Sequence, residues 1–338
     1  MKKISIIIPI YNEEETIPFL QNRIINTIGK IKNYQFNIVL INDGSKDKSL
    51  EMIRNCRKID KRFEYISLSR NYGKEIAMLA GLDYAKDSDA VIIMDADLQD
   101  PPELIEELIR EWEKGYDDVY AKRMSREGET WLKKITSKMY YQILEKISKV
   151  PIQKDTGDFR LLDKRCVIAI CQMREQSRCS KSLFNWIGYH KKEILFERDK
   201  RIAGKTKWNY AKLIQLAIDG ITSLSTAPLR WISYTSVAFI FISILYAVIL
   251  AIGSLTGKII SGNNLLFLGI LFLSSIQMIF ISIIGEYLGR IFQETKHRPS
   301  YLIDQINGKK QTNQAKENKD EQEKNHTTDF SNYHYFTN

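Results

Sequence analysis

The sequence has little that suggests thiolate, disulfide or hydrolase chemistry. Only four cysteines occur in 338 residues, Cys56, Cys166, Cys171 and Cys179, and none sits in a CxxC or Cys/His metal spacing. A zinc site is disfavoured on that ground, and scattered cysteines in a chain of this size read as reduced thiols of a cytosolic compartment. The four histidines offer no Ser/His/Asp or Cys/His arrangement, which argues against nucleophilic hydrolysis. Neither a GxGxxG turn nor a GxxxxGK[ST] loop is present, so the usual nucleotide folds are disfavoured. No RNP-type motif accompanies the aromatics, so the net charge of +9 is not read as nucleic-acid binding. That charge suits an anionic membrane surface or a phosphorylated substrate. The N-terminus, MKKISIIIPIYNEEE, has a basic start, but its short apolar run meets three glutamates. It reads as a first strand, not a signal peptide.

Charge is also missing locally. No charged residue lies between Arg230 and Lys258, or between Lys258 and Glu286. The apolar cores, 235–253 and 265–285, hold 19 and 21 residues. At ~1.5 Å per residue each matches a hydrocarbon core of ~30 Å, so the sequence predicts two transmembrane helices joined as a hairpin. Lys205, Lys207, Lys212 and Arg230 precede the hairpin, and Arg290, Lys296 and Arg298 follow it. The positive-inside rule then predicts an inner-membrane protein with the catalytic domain and both termini in the cytoplasm. Two spans alone enclose little buried surface, which favours a homo-oligomer. Residues 209–230 fit an amphipathic interfacial helix and equally a core-facing one. Residues 287–307 read as a juxtamembrane segment, and 308–338 as a disordered polar tail.

Residues 1–208 alternate. Apolar runs at 4–10, 36–42, 63–69 and 90–96 are strand-like, with helical stretches between them. Such alternation predicts an α/β domain, a Rossmann-like, mostly parallel sheet with helices on both faces. Ligands of such sheets bind beyond the carboxyl ends of the strands. The strand ends carry Pro9-Ile10-Tyr11-Asn12-Glu13, Asn42-Asp43-Gly44-Ser45, Arg70-Asn71-Tyr72-Gly73-Lys74-Glu75 and Asp95-Ala96-Asp97-Leu98-Gln99-Asp100. Asp95, Asp97 and the Gln99 carbonyl are hard oxygen ligands, suited to Mg²⁺ or Mn²⁺. Asp100-Pro101-Pro102-Glu103 reads as an N-cap, a proline at the first helical position and a capping-box glutamate.

The ordered set PIYNEE, NDGS, LSRNYGKE, DADLQDPP and GDFRLLD resembles the family-2 glycosyltransferases. It is most similar to those that act on polyprenyl phosphates, the bactoprenol glucosyltransferases and, further off, the dolichol-phosphate mannose synthases. The resemblance spans about residues 3–300. It implies a GT-A fold, a nucleotide-sugar donor, Mg²⁺ or Mn²⁺, and a polyprenyl phosphate acceptor such as undecaprenyl phosphate. It implies that Pro9, Tyr11 and Glu13 border the nucleoside, that Asp43 contacts the base and that Lys74 lies near the donor. Where many relatives have two aspartates this chain has Asn42-Asp43. The resemblance also gives Asp95, Asp97 and Gln99 to the metal and diphosphate. The acceptor-side catalytic residue falls in KDTGDFRLLD, at Asp158 or Asp155.

The nucleophile in such a transfer is a phosphate oxygen, mostly dianionic at neutral pH because its second pKa is about 6. It needs cations more than a base. Arg123, Arg126, Arg160, Arg201 and Lys207 are the candidates, since arginine grips phosphate bidentately. The resemblance implies inversion at the anomeric carbon and favours glucose from a UDP-sugar. UDP-GlcNAc, GDP-mannose or a polysaccharide synthase are the alternatives, although the Q-x-x-R-W signature of the last is missing.

Overall fold

The computed structural model describes residues 1–124, 156–176, 178–197 and 263–311, with the isolated positions 234, 245, 248 and 252. The strands are β1 (Lys2–Ile10), β2 (Tyr34–Asn42), β3 (Phe63–Leu68), β4 (Ala90–Ile93), β5 (Asp118–Arg123), β6 (Thr156–Asp163), β7 (Lys191–Phe196), β8 (Ile303–Ile306) and β9 (Lys309–Lys310). The helices are α1 (Ile17–Ile28), α2 (Ser49–Ile59), α3 (Lys74–Ala85), α4 (Ile105–Glu113), α5 (Lys164–Gln172), α6 (Ser180–Trp186) and α7 (Asn263–Thr295). One sheet runs β7-β5-β6-β4-β1-β2-β3-β8-β9. Strands β1 to β4 are mutually parallel, and β6 and β8 run against their neighbours.

The strand sequences are continuous apolar runs because both faces are covered. In β1, Ile4, Ile6, Ile8 and Ile10 face a core shared with Leu20 and Ile24 of α1, Ile53 of α2 and Leu108 of α4. Ile7 points the other way, to a core shared with Ala77 and Met78 of α3, Val167 of α5 and Phe184 of α6. Each such isoleucine, fully buried, stabilises the fold by about 1.5–3 kcal/mol. The α/β sheet expected from the alternation is therefore present, with helices on both faces. Pro18 stands in the first turn of α1, where its missing amide donor costs nothing.

The expected capping box at the start of α4 does not form. A short 3₁₀ turn, Pro102–Leu104, precedes α4, and neither element has a side-chain cap. Glu103 instead accepts from Arg23 Nε and Nη2 at 3.0 and 2.8 Å, while Asp100 is buried. The ion pair between α1 and the turn takes the glutamate that a local cap would have used.

The C-terminal segment departs further from expectation. Among the described residues no helix is long and apolar enough to cross a membrane. That finding overturns the expected inner-membrane placement with two spans. The first expected span, 235–253, lies outside the described residues apart from positions 245, 248 and 252. The second falls within α7, which includes Asn263, Ser274 and Gln277 and continues unbroken through Glu286, Arg290 and Glu294. Lack of charge is necessary for a span but does not by itself make one.

Residues 287–307 complete α7 and then return to the sheet. Strand β8 pairs antiparallel with β3 and extends the sheet beyond it. Tyr65 donates its backbone N–H to Asn307 Oδ1 at 2.8 Å, and Arg54 donates to Gln305 Oε1 at 3.1 Å. Tyr301 donates to Asp83 Oδ2 at 2.6 Å, and Gln176 donates its backbone N–H to Glu294 Oε1 at 2.8 Å. Residues 209–230 and 312–338 lie outside the described residues.

Candidate active site

The carboxyl ends of β1 to β4 open into one cleft of about 330 Å³. β1 contributes Pro9, Tyr11 and Glu13, β2 contributes Asp43, the β3–α3 loop contributes Asn71, Gly73 and Lys74, and β4 contributes Asp95 and Asp97. Seven of the residues given a role from the sequence, Pro9, Tyr11, Glu13, Asp43, Lys74, Asp95 and Asp97, thus meet on one sheet edge, as a parallel α/β topology requires.

Turn geometry fixes the mouth. Asn12 has φ 53° and Leu98 has φ 54°. Asn12 Oδ1 accepts the Lys46 amide at 2.8 Å, and the Asn12 amide donates to Ser45 Oγ at 3.1 Å. Asp97 Oδ1 accepts the Gln99 amide at 3.2 Å, closing an Asx turn around the buried Leu98. Gly44 has φ +62°, and a Cβ there would lie 2.4 Å from the Arg70 carbonyl carbon. Only glycine fits that crossing of the β2 and β3 ends.

Asp43 is buried, and its two oxygens accept the amides of Tyr72 and Gly73 at 2.7 and 2.9 Å. Burial pushes its pKa up, and the two amides pull it back. Its carboxylate therefore organises the loop that carries Lys74, in addition to lining the cleft. Asn42 donates to Ser67 Oγ at 2.9 Å and accepts the Ser45 amide at 3.2 Å.

Lys74 joins the two halves of the site. Its Nζ lies 2.6 Å from Asp95 Oδ1 and 2.5 Å from Asp158 Oδ2. Asp158 is 7% exposed, on β6, next to β4 in the sheet. Desolvation would lower the Lys74 pKa, but the charges and hydrogen bonds of Asp95 and Asp158 outweigh it and raise it. The side chain as a whole is 42% exposed, so the magnitude of that shift is screened by water while its direction stands. Burial would likewise raise Asp158, and Lys74, then Lys181 and Arg160, bring it down to about 2. Asp158 Oδ1, the oxygen turned away from Lys74, is buried with no hydrogen-bond partner among the described residues.

The expected ligand set is brought together in part. Asp95 and Asp97 line the cleft, while Gln99 does not. Among the described residues no group of three or more His, Cys, Asp or Glu is arranged to hold a metal ion. Asp95 and Asp97, two carboxylates on the wall of an open cleft, are hard oxygen donors that fit a divalent ion taking its remaining ligands from substrate phosphates and water.

The acceptor-side cations are dispersed. Arg160 is fully buried, with Nη1 3.2 and 3.0 Å from the two oxygens of Asp118 and its guanidinium 3.9 Å over the Phe184 ring. Structural pairing, not access to substrate, is what this position provides. Arg123 is half-buried at the end of β5. Its Nη2 and Asp100 Oδ2 both lie 3.7 Å from where a Cβ on Gly157 would stand, beside Asp158. Arg126, Asp155, Arg201 and Lys207 lie outside the described residues. Two residues escaped the sequence reading. Lys181 Nζ donates to the Thr156 carbonyl at 3.1 Å, and Glu75 Oε2 accepts the Ser180 amide at 2.8 Å. Glu75 was visible as the neighbour of Lys74 in RNYGKE; Lys181 belongs to no motif, and only β6–α6 packing reveals it.

The stretch of sequence that builds this cleft matches a known family. The model of glycosyl transferase family 2 matches residues 5–173. An uncharacterized glycosyltransferase of Synechocystis sp. is 45% identical over 90% of this chain and 96% of its own length. The bactoprenol glucosyl transferase of Shigella phage SfV is 41% identical over 89% of this chain and 98% of its own. A prophage bactoprenol glucosyl transferase homolog of Escherichia coli is 40% identical over 90% and 99%. The chain belongs to glycosyl transferase family 2 and is a glycosyltransferase. Its mostly parallel α/β sheet is the GT-A-like fold expected of that family.

Proposed function

We propose that the chain transfers glucose from a UDP-sugar to the phosphate of a polyprenyl lipid, with inversion at the anomeric carbon. The observation that carries this reading is the Lys74 bridge, which sets a donor-side carboxylate, Asp95, and an acceptor-side one, Asp158, on a single ammonium. The bactoprenol glucosyl transferases among its relatives support the choice of sugar and acceptor.

In this reading Pro9, Tyr11 and Glu13 border the nucleoside, and Asp43 holds the loop against which the base rests. Asp95 and Asp97 would hold Mg²⁺ or Mn²⁺, which supplies charge neutralisation to the departing nucleoside diphosphate. An acceptor phosphate oxygen attacks the anomeric carbon, and the bond from that carbon to the β-phosphate oxygen breaks. No proton need be removed, because the phosphate arrives largely dianionic. Asp158 suits that chemistry: a carboxylate held near pKa 2 is a poor base. It orients the acceptor side and keeps Lys74 in place. Arg123, with Arg126, Arg201 and Lys207, offsets the repulsion between two anionic substrates.

The test is transfer of radiolabel from a panel of nucleotide sugars to undecaprenyl phosphate, counted in the organic phase, with Asp97→Asn as control. Label from UDP-glucose alone, lost in the variant, is the expected result. Label from GDP-mannose or UDP-GlcNAc would reassign the sugar. No lipid-linked label from any donor would overturn the acceptor.

A further inference from the structure

We infer that Lys74 is an exchangeable counter-ion of Asp95: it competes with a divalent cation for the same carboxylate oxygen and thereby makes cation binding depend on the donor's diphosphate. The inference rests on the reading above that Asp95 and Asp97 hold a divalent ion. It concerns what Lys74 does to that binding, which neither motif nor spacing specifies.

The geometry has three parts. The Lys74 ammonium is 2.6 Å from Asp95 Oδ1, so a hard cation binding that oxygen at about 2.0–2.1 Å would sit against it. The contact to Asp158 Oδ2, at 2.5 Å, meets hydrogen-bond geometry, and the one to Asp95 is an ion pair of nearly the same length. Asp95 is the more exposed of the two partners, its side chain 23% accessible against 9% for Asp158, and so is the one a solvent-borne cation can reach. Lys74 is also the first residue of α3, reached through Gly73 at φ 94°. Asp43 clamps that turn through both oxygens. The backbone is fixed, so exchange needs only side-chain rotation of a flexible lysine.

Charge then sets the order. A divalent ion arriving alone must displace the ammonium from Asp95 and tolerate it a few ångströms away. An ion arriving with a nucleoside diphosphate brings negative charge to which the released ammonium can turn. The chain's own cation therefore penalises the bare ion and rewards the ion–donor pair.

The experiment measures Mn²⁺ affinity by the free-ion paramagnetic resonance signal, with and without UDP, on the full chain. Wild type is compared with Lys74→Met and Lys74→Gln, which keep the stem and remove the charge. Lys181→Met removes a cation that acts on Asp158 and whose Nζ donates to the Thr156 carbonyl, away from the Asp95 ion pair. Wild type should bind Mn²⁺ alone weakly and at least about tenfold more tightly with UDP, a shift of roughly 1.4 kcal/mol. Both Lys74 variants should bind Mn²⁺ alone about five- to tenfold more tightly than wild type and lose most of the UDP effect. Lys181→Met should follow wild type. Melting curves guard against misfolding: Mn²⁺ alone should raise the melting temperature of the Lys74 variants more than that of wild type. Equal Mn²⁺ affinity in wild type and Lys74 variants would overturn the inference alone. An equal gain in Lys181→Met would overturn it as well, because long-range charge would then suffice. Failure of every form to bind Mn²⁺ even with UDP would remove the metal reading and this inference with it.

Discussion

Gly73 donates its backbone amide to Asp43 Oδ2 at 2.9 Å, so the end of β2 dictates where α3, and with it Lys74, begins. Asp43→Asn should expose this dependence. The asparagine NH₂ cannot accept, so one of the two loop amides loses its partner. The unpaired buried amide costs about 1–3 kcal/mol. Chemical denaturation should show that loss, and transfer activity should fall by more than stability does, because Lys74 is displaced. Unchanged activity in a folded variant would separate Asp43 from the site.

Arg160 provides a test between two roles. If it serves only the buried pair with Asp118, Arg160→Met should destabilise the fold by about 3–5 kcal/mol, since Asp118 is left charged and buried. Burial already pushes the Asp118 carboxyl up despite Arg160. The double variant Arg160→Met, Asp118→Leu should therefore recover much of the stability, measured by urea unfolding. It should also retain the KM for the lipid acceptor. A selective rise in that KM would return Arg160 to the acceptor's phosphate.

The pH dependence follows from Asp158. Its folded pKa is depressed to about 2, below an unfolded value of about 3.9. Its contribution to stability is therefore fully present above the unfolded value and is lost as pH falls toward 2. It should leave no inflection in the rate near neutrality. The acid limb of kcat/KM should fall near pH 6, where the acceptor phosphate takes up its second proton. An acid limb that moves in Asp158→Asn would contradict this assignment.

The C-terminal strand yields a backbone test. Asn307 has φ 52°, and its Oδ1 accepts the Tyr65 amide. Asn307→Ala should lose both the bond and the tolerance for that φ, at about 2 kcal/mol in all. Asn307→Gly should lose the bond alone, about half as much. Differential scanning calorimetry of the two variants separates the terms. If β8 guards the edge of β3, the alanine variant should also aggregate more readily on heating.

Much of the site was legible before any coordinates. Pro9, Tyr11, Glu13, Asp43, Lys74, Asp95 and Asp97 each end an apolar run or open the next helix, and a parallel sheet sends all such ends to one edge. Asp100 was misread because Asp-Pro-Pro-Glu has the local chemistry of a cap. A long-range competitor, Arg23 from α1, took the glutamate instead. Arg160 was misread because composition does not tell a substrate cation from a buried one. Strand β8 was not foreseen because it has four residues and pairs with a strand some 240 positions away.

Local sequence sets what depends on neighbours along the chain. That covers the strand–helix alternation, the glycine at position 44 and the carboxylates at the end of β4. It also placed the chain in its family. Tertiary structure decided what depends on contacts between distant segments. It put Lys74 between Asp95 and Asp158, turned Asp43 into the clamp of the β3–α3 loop and buried Arg160 against Asp118. It also returned residues 303–306 to the sheet. The physical reason is the range of the forces. Propensity and periodicity act over a few residues, whereas ion pairing, desolvation and edge-strand pairing act only after folding has brought remote residues within a few ångströms.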